Sequence, residues 1–361
     1  MEVVVLVVAF LVILVGAELF TNGIEWFGHK LELAEGAVGS VLAAVGTAMP
    51  ETMIPLIAIL LGGGARASDI GIGAILGAPF MLATLAMFVT GVAVLYAGRT
   101  RASGDVLLVE TSVLAHDMRF FVVAYALAIA VAFLPADLIV PRWLAAVVLL
   151  GIYAIYVRGH FAVEEEIDEV DGGPTPDVEA APRLEPLRLH RLDRRGPARP
   201  APPRLRIVTL QVVVALALII LGAYAFVGAI QSIAGSLGVD RGLLALVIAP
   251  IATELPEKFN SVIWIRQRKD TLAMGNITGA MVFQSAIPTV VALVFAPSHW
   301  SITDGSMLAF ASAGIAFLSC AAIFLPMVAR ARLRGRGLLV GGALYVVYLG
   351  MVVSTLGATA G

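Results

Sequence analysis

Residues 70–97 and residues 271–296 each contain no charged side chain. At about 1.5 Å of rise per residue, either run is long enough to cross the hydrocarbon core of a bilayer as a helix. In lipid every backbone N–H and C=O must find a partner within the segment, so a run of this kind is helical. The rest of the chain agrees. Of its 361 residues 60% are hydrophobic and 14% charged, with a mean hydropathy of +0.95. Soluble domains carry about a quarter of their residues as charges. Too little polar surface is left to clothe a water-soluble core, and the class expected is an all-α integral membrane protein. Cys320 is the lone cysteine and lies in an apolar run, which excludes a disulfide framework and a thiolate metal site. Met1 to Val15 lacks a basic leading region, and the apolar run continues past Glu18 without a small-residue cleavage site. It reads as a retained first helix rather than a signal peptide.

Apolar runs predict ten membrane helices: 3–26, 37–62, 70–97, 118–135 and 142–159, then 207–234, 241–265, 271–296, 305–328 and 338–356. Residues 105–117 read as a short amphipathic piece. Between the halves, 161–206 opens on Glu164-Glu165-Glu166 and passes to an Arg- and Pro-rich run, Arg183 to Arg206. Its charge and prolines predict a loosely ordered linker. The expected organisation is therefore a five-helix half over 1–160, the linker over 161–206, and a second five-helix half over 207–361. Lys and Arg sort by loop. One side of the membrane receives Lys30, Arg99, Arg101, the linker, Arg266, Arg268, Lys269, Arg330, Arg332, Arg334 and Arg336, against Arg66, Arg142 and Arg241 on the other. The positive-inside rule then puts the N-terminus outside and the linker in the cytoplasm of a cell-membrane protein. Five spans before the linker mean that the second half enters from the opposite side, as inverted-topology repeats do.

The residues repeat as well. Thr47-Ala48-Met49-Pro50-Glu51 lies over Thr253-Glu254-Leu255-Pro256-Glu257. With one gap, Gly73-Ala74-Ile75-Leu76-Gly77-Ala78 lies over Gly275-Asn276-Ile277-Thr278-Gly279-Ala280. A carboxylate within an apolar helix costs several kcal/mol, so it faces a partner, a cavity or an ion. Glu51 shares a helix face with Thr47, and Glu257 with Thr253, while Glu254 lies near that face. Pro50 and Pro256 cannot donate to the carbonyls of Gly46 and Ala252, which frees those oxygens for a ligand. Pro55 and Pro250 free others. Two carboxylates, two hydroxyls and freed carbonyls make a hard-oxygen site suited to Ca²⁺. A single Pro is ordinarily a kink and a single Glu a buried hydrogen bond; duplication at one spacing is what turns these residues into a candidate transport site.

Glycines crowd the same regions: Gly36, Gly39, Gly46, Gly71, the Gly73/Gly77 pair and the Gly275/Gly279 pair. Both pairs have the spacing that lets helix backbones approach closely. Other intramembrane polar residues are Glu18, Asn22, Asn260, Asn276, Thr278, Gln284 and Ser285. Of these Glu18 is a candidate gating group and Gln284 a candidate site-lining one. Glu110, His116 and Asp117 are expected at a membrane boundary, facing water.

The duplicated Gly-Thr-x-x-Pro-Glu, present as Gly46 to Glu51 and in degenerate form as Ala252 to Glu257, resembles the α-repeats of the sodium/calcium exchanger family within the calcium/cation antiporter superfamily. The resemblance implies ten helices in two inverted repeats, a cytoplasmic loop between them, and Ca²⁺ binding by Glu51 and Glu257 together with backbone carbonyls. It implies Na⁺ sites built from neighbouring side-chain oxygens. Here the chain departs from the pattern. Ala48 and Glu254 follow the threonines where the family usually has Ser. The next helix reads Gly77-Ala78-Pro79-Phe80-Met81-Leu82 and Gly279-Ala280-Met281-Val282-Phe283-Gln284 where Gly-Ser-Asn-x-x-Asn is usual. Only Gln284 remains of that polar shell.

The expected function is a secondary-active antiporter moving Ca²⁺ against Na⁺ or H⁺, with Glu51, Glu257, Thr47, Thr253, Glu254, Gln284 and the carbonyls of Gly46 and Ala252 at the ion. The alternatives are exchange of Mg²⁺, Mn²⁺ or Na⁺ for H⁺, or a non-transporting membrane protein that keeps the fold. The partners expected are inorganic cations and the lipid bilayer, with no nucleic acid and no resident cofactor. No nucleophile–base pair, histidine cluster or phosphate loop suggests an enzyme.

Overall fold

A computed structural model describes residues 2–48, 51–52, 55–56, 59, 65–167, 184–189, 202–236, 254–302 and 307–359. The described residues are almost entirely helical. The elements are α1 (Glu2–Lys30), α2 (Glu35–Thr47) and α3 (Ala65–Met81, continuing through a π-helical turn at Leu82–Ala86 into Met87–Ala97). They are followed by α4 (Thr111–Ala132), α5 (Ile139–Ile167), α6 (Leu205–Ser236), α7 (Leu255–Arg266), α8 (Asp270–Phe295), α9 (Met307–Arg330) and α10 (Gly335–Thr359). Eight of these are long and apolar enough to cross a membrane; α2 and α7 are shorter as described.

The burial pattern places α8 at the centre. Every residue from Asp270 through Ala286 is buried, with α2, α3, α4, α5 and α7 packed around it. Outer helices turn valines and leucines such as Val4, Leu11, Val147 and Val346 outward. Such an exterior belongs in lipid, and the chain is an integral membrane protein. α1 and α6 pack along one another as a pair.

Close approach of α2 and α8 depends on glycine. α2 is π-helical over Val38–Ala43, and a Cβ on Gly279 would stand 2.0 Å from the Ser40 carbonyl oxygen. Backbone cannot yield there. The first-half counterpart differs, because a Cβ on Gly77 meets nothing within 4 Å. Gly279→Ala is therefore expected to destabilise the protein by about 1–3 kcal/mol, read as a lower Tm in detergent, while Gly77→Ala leaves Tm unchanged or raises it.

Residues 105–117 are not a separate amphipathic piece. Val106–Leu107 pairs antiparallel with Leu333–Arg334, and residues 111–117 form the first turns of α4. The intervening backbone caps α8: Leu108 N donates to Asp270 Oδ2 at 2.9 Å and Arg101 donates to Asp270 Oδ1 at 2.5 Å. An acidic side chain in the first turn also suits the helix dipole. Lys269 pairs with Glu25, which accepts from Trp264 Nε1 at 2.7 Å.

Part of the inter-half segment is docked. Asn22 and Trp26 of α1 donate to the Glu185 carbonyl at 3.3 and 2.8 Å, and Leu189 N donates to Gln211 Oε1 of α6 at 2.8 Å. α5 itself continues to Ile167. These contacts, with the strand pair and the Arg101–Asp270 bridge, gather residues 99–108, 184–189, 269 and 330–336 at one end of the bundle. The basic loops thus share one face.

Candidate cation site

Two residues of non-helical backbone, one after α2 and one before α7, organise the site. α2 ends at Thr47, and Ala48 takes φ −77°, ψ 3°. Glu254, immediately before α7, takes φ −87°, ψ 12°. Both lie in the sparsely populated bridge between helical and extended backbone, and the two residues occupy the same position in the duplicated motif. After the first break Glu51 and Thr52 are helical again, with Thr52 N on the Ala48 carbonyl at 3.2 Å and its hydroxyl on that oxygen at 2.8 Å. After the second, Pro256 and Glu257 fall in the opening turn of α7. A carboxylate there faces the positive end of the helix dipole.

Glu254 and Glu257 are fully buried and Glu51 is 7% exposed. Among the described residues no carboxylate oxygen of Glu51 or Glu257 is closely hydrogen-bonded, and the Thr47 hydroxyl stands beside Glu257. Glu51 lies within electrostatic reach of Glu257, Glu254 and Lys258. Buried unpartnered carboxylate oxygens are costly, and the species that relieve that cost are hard cations and protons.

Around them the helices are stitched together. The Thr47 hydroxyl lies 3.1 Å from the Ala43 carbonyl and 3.2 Å from Asn276 Oδ1, and it stands beside the Glu257 carboxyl. Asn276 Nδ2 donates to the Glu257 carbonyl at 3.3 Å. This hydroxyl–amide bridge joins α2, α8 and α7. Gln284 is buried with neither amide atom partnered among the described residues, and so is Asn260 on α7. Gly46 packs against Phe20 of α1, where a Cβ would meet the ring at 2.9 Å. Thr253 and Ala252, with Pro50 and Pro250, lie outside the described residues. Among the described residues no three His, Cys, Asp or Glu side chains converge as a metal cluster. An ion held by Glu51 and Glu257 would complete its shell with neutral oxygens.

Some groups stand where the sequence did not put them. Glu254 is not free: Lys258, itself 5% exposed, donates to Glu254 Oε2 at 3.1 Å. Its i, i+4 spacing, with the acid first, was legible in the letters. Glu18 is a surface group whose side chain is 58% exposed and pairs with Arg188 at 3.0 Å; a gating role has no buried contact behind it. Asp117 does not face water. It is fully buried and accepts from Ser40 Oγ at 2.8 Å, Tyr156 OH at 3.0 Å and Thr278 Oγ1, with His160 Nε2 at 2.8 Å. His116 is half-buried beside it, and only Glu110 is exposed as expected. A cavity of about 270 Å³ lined by Glu25, His29, Glu35, Leu184 and Lys269 opens between α1, α2 and α8, beside the docked segment.

Known proteins bear on this arrangement at two levels. Over 89 residues, a quarter of the chain, the sequence is 35% identical to a protein of Alkalimonas amylolytica called putative antiporter CaxA, of which the match spans 28%. Over 87 residues, 22% of the chain, it is 36% identical to the uncharacterized membrane protein MJ0091 of Methanocaldococcus jannaschii, of which the match spans 29%. The matches thus span under a third of the length of these relatives. The fold as a whole superposes on solved structures of the sodium-calcium exchanger NCX_Mj. One, soaked with 2.5 mM Na⁺ and 0.1 mM Sr²⁺, gives a TM-score of 0.69 at 15% identity over 97% of this chain and 99% of that one. Another, soaked with 2.5 mM Na⁺ and 0.1 mM Ca²⁺, gives 0.67 at 16% identity over 97% of both. A family model described as sodium/calcium exchanger protein matches residues 1–161 and 207–357, so both helical halves and most of the chain are covered, and the chain belongs to the sodium/calcium exchanger protein family.

Proposed function

We propose that this protein is a secondary-active cation antiporter that carries Ca²⁺ across the membrane in exchange for Na⁺ or H⁺ by alternating access. The observation that carries the reading is the pair of buried carboxylates, Glu51 and Glu257, which have no ion-pair partner among the described residues and each follow by three residues a non-helical residue at the same motif position. In the proposed cycle both carboxylates hold the ion, and Gln284 Oε1 and the carbonyls of Gly46 and Ala252 complete an oxygen shell. Thr47 and Thr253 flank it. The counter-ion relieves the same two charges on the return stroke, since buried carboxylates left bare are costly in either state.

The organisation proposed alongside is ten spans in two inverted five-helix repeats, over 1–160 and 207–361, with 161–206 between them. The matching break positions support it. Collection of the basic loops at one end supports a cytoplasmic linker and an outside N-terminus in the cell membrane. The departures from the family pattern, Ala48, Ala78, Pro79 and Leu82, remove side-chain oxygens that a Na⁺ site would use, and this favours H⁺ as counter-ion.

The test is transport by purified protein in liposomes. Uptake of ⁴⁵Ca²⁺ driven by an outward H⁺ gradient is the expected result, with weaker uptake driven by Na⁺. Uptake of Mg²⁺ or Mn²⁺ but not Ca²⁺ would replace the substrate. Silence toward all of these cations under both gradients, from folded protein, would leave a membrane protein that does not transport.

A further inference from the structure

Lys258 is the one basic side chain in the immediate surroundings of the three site carboxylates, among the described residues. It is buried, it lies next to Glu257 in sequence, and its ammonium donates to Glu254 Oε2 at 3.1 Å. Glu254 begins at the backbone break and Lys258 follows one turn later on α7, so the pair is closed by local helix geometry alone. Both side chains are in low-dielectric surroundings, where an ammonium without a counter-charge is several kcal/mol too costly to keep. Each therefore holds the other in place.

The consequence concerns the charge left for a guest. Around a bound cation, three carboxylates and one ammonium would leave two negative charges, those of Glu51 and Glu257, which have no ion-pair partner among the described residues. Glu254 keeps one oxygen, Oε1, without a partner, but its charge is already matched. We infer that Lys258 is a tethered cation: its ammonium permanently fills a monovalent cation subsite at Glu254, so that Glu254 takes no transported ion and the site is set for a total guest charge of two. This rests on the proposed antiporter site and deepens it by fixing how much positive charge the site accepts. A protein with Glu254 exposed to solution ions would need a third positive charge per loading event. With Lys258 in place, one divalent cation suffices, and so do two monovalent ones.

The single substitutions should act in opposite directions and cancel together. In Glu254→Gln the ammonium loses its partner and repels a guest beside Glu257, so Ca²⁺ binding by the purified full chain should weaken by about a hundredfold. In Lys258→Met, Glu254 is bare; Ca²⁺ binding should be equal or tighter, and Na⁺ should compete with it at least about tenfold more strongly than in the parent. The double variant E254Q/K258M removes both charges and should return Ca²⁺ binding to within about tenfold of the parent, with Na⁺ competition back at the parent's level.

Isothermal titration calorimetry with CaCl₂, then with CaCl₂ against NaCl, reads all four proteins, each first checked for a single peak in gel filtration. A double variant as weak as E254Q, or a Lys258→Met variant that gains no Na⁺ competition, overturns the tethered-cation assignment and leaves the antiporter reading standing. If the neutral double variant is not monodisperse, the charge-swapped E254K/K258E takes its place: parent-like Ca²⁺ binding supports the assignment and loss overturns it. A parent protein that binds none of Ca²⁺, Mg²⁺, Mn²⁺ and Na⁺ overturns the site reading and the assignment with it.

Discussion

Glu257→Gln or Glu51→Gln is expected to lower Ca²⁺ uptake into proteoliposomes by about a hundredfold or more, because losing one of two desolvated charges on a bound ion costs about 2–5 kcal/mol. Gln keeps the volume and one acceptor oxygen, so the change isolates charge. The same substitution should not harm the fold. Glu51 has no hydrogen bond among the described residues that its loss would break. Glu257 has the Thr47 hydroxyl beside it, which a Gln oxygen can still meet, and a neutral amide is cheaper to bury than an ionised carboxylate. Without added cation, the Tm of either variant should therefore match or exceed that of the parent. The parent should gain Tm on addition of Ca²⁺, as any protein does that binds a ligand only when folded, and the variants should lose that gain. A stable protein that neither transports nor responds to Ca²⁺ is the expected phenotype. Parent-level uptake in Glu257→Gln would remove that residue from the ion.

What could be read from the letters followed the bilayer closely. Uncharged runs such as 70–97 and 271–296 leave helix as the one backbone solution, and α3 and α8 cover them. The duplicated motif also marked the two places where non-helical backbone, at Ala48 and Glu254, adjoins a helix, since proline cannot donate and a carboxylate in lipid demands a reason. Side-chain partnerships were less legible. Asp117 sits close to the charged Arg119 and His116 in the sequence, which reads as a boundary; only the packing of α2, α5 and α8 against α4 reveals donors from all three. Glu18 erred the other way, because a carboxylate inside an apolar run gives no sign of which helix face it occupies. Its neighbour by two turns, Glu25, is the buried one, tied to Trp264 and Lys269. Lys258 was legible in principle as the i+4 partner of Glu254. Attention to oxygen ligands alone passes over a positive charge.

The Asp117 junction carries the largest expected effect on stability. The Asp117 carboxyl accepts from the hydroxyls of Ser40, Thr278 and Tyr156 and lies 2.8 Å from the ring nitrogen of His160, at the meeting of four helices. Asp117→Asn removes the acceptor that the Ser40 and Thr278 hydroxyls share and puts an NH₂ there. Both hydroxyls must then turn to accept, Thr278 donating instead to the Met274 carbonyl and Ser40 losing the acceptor it had. Removing one partner from a buried charged network costs about 3–5 kcal/mol, which differential scanning fluorimetry in detergent should record as a large fall in Tm. Glu18→Gln serves as the contrast, since the Glu18–Arg188 pair is exposed and such pairs contribute about 0–1 kcal/mol. The expected order is Asp117→Asn far below the parent and Glu18→Gln beside it. Equal Tm values for the two variants would mean that Asp117 is not the tie between α2, α4, α5 and α8. The position of Ser40 gives the tie a functional side, because the same residue packs on Gly279 and lies on the helix that ends at Thr47. Loosening Asp117 should thus also weaken Ca²⁺ binding, through the placement of the Thr47–Asn276 bridge rather than through any contact with the ion.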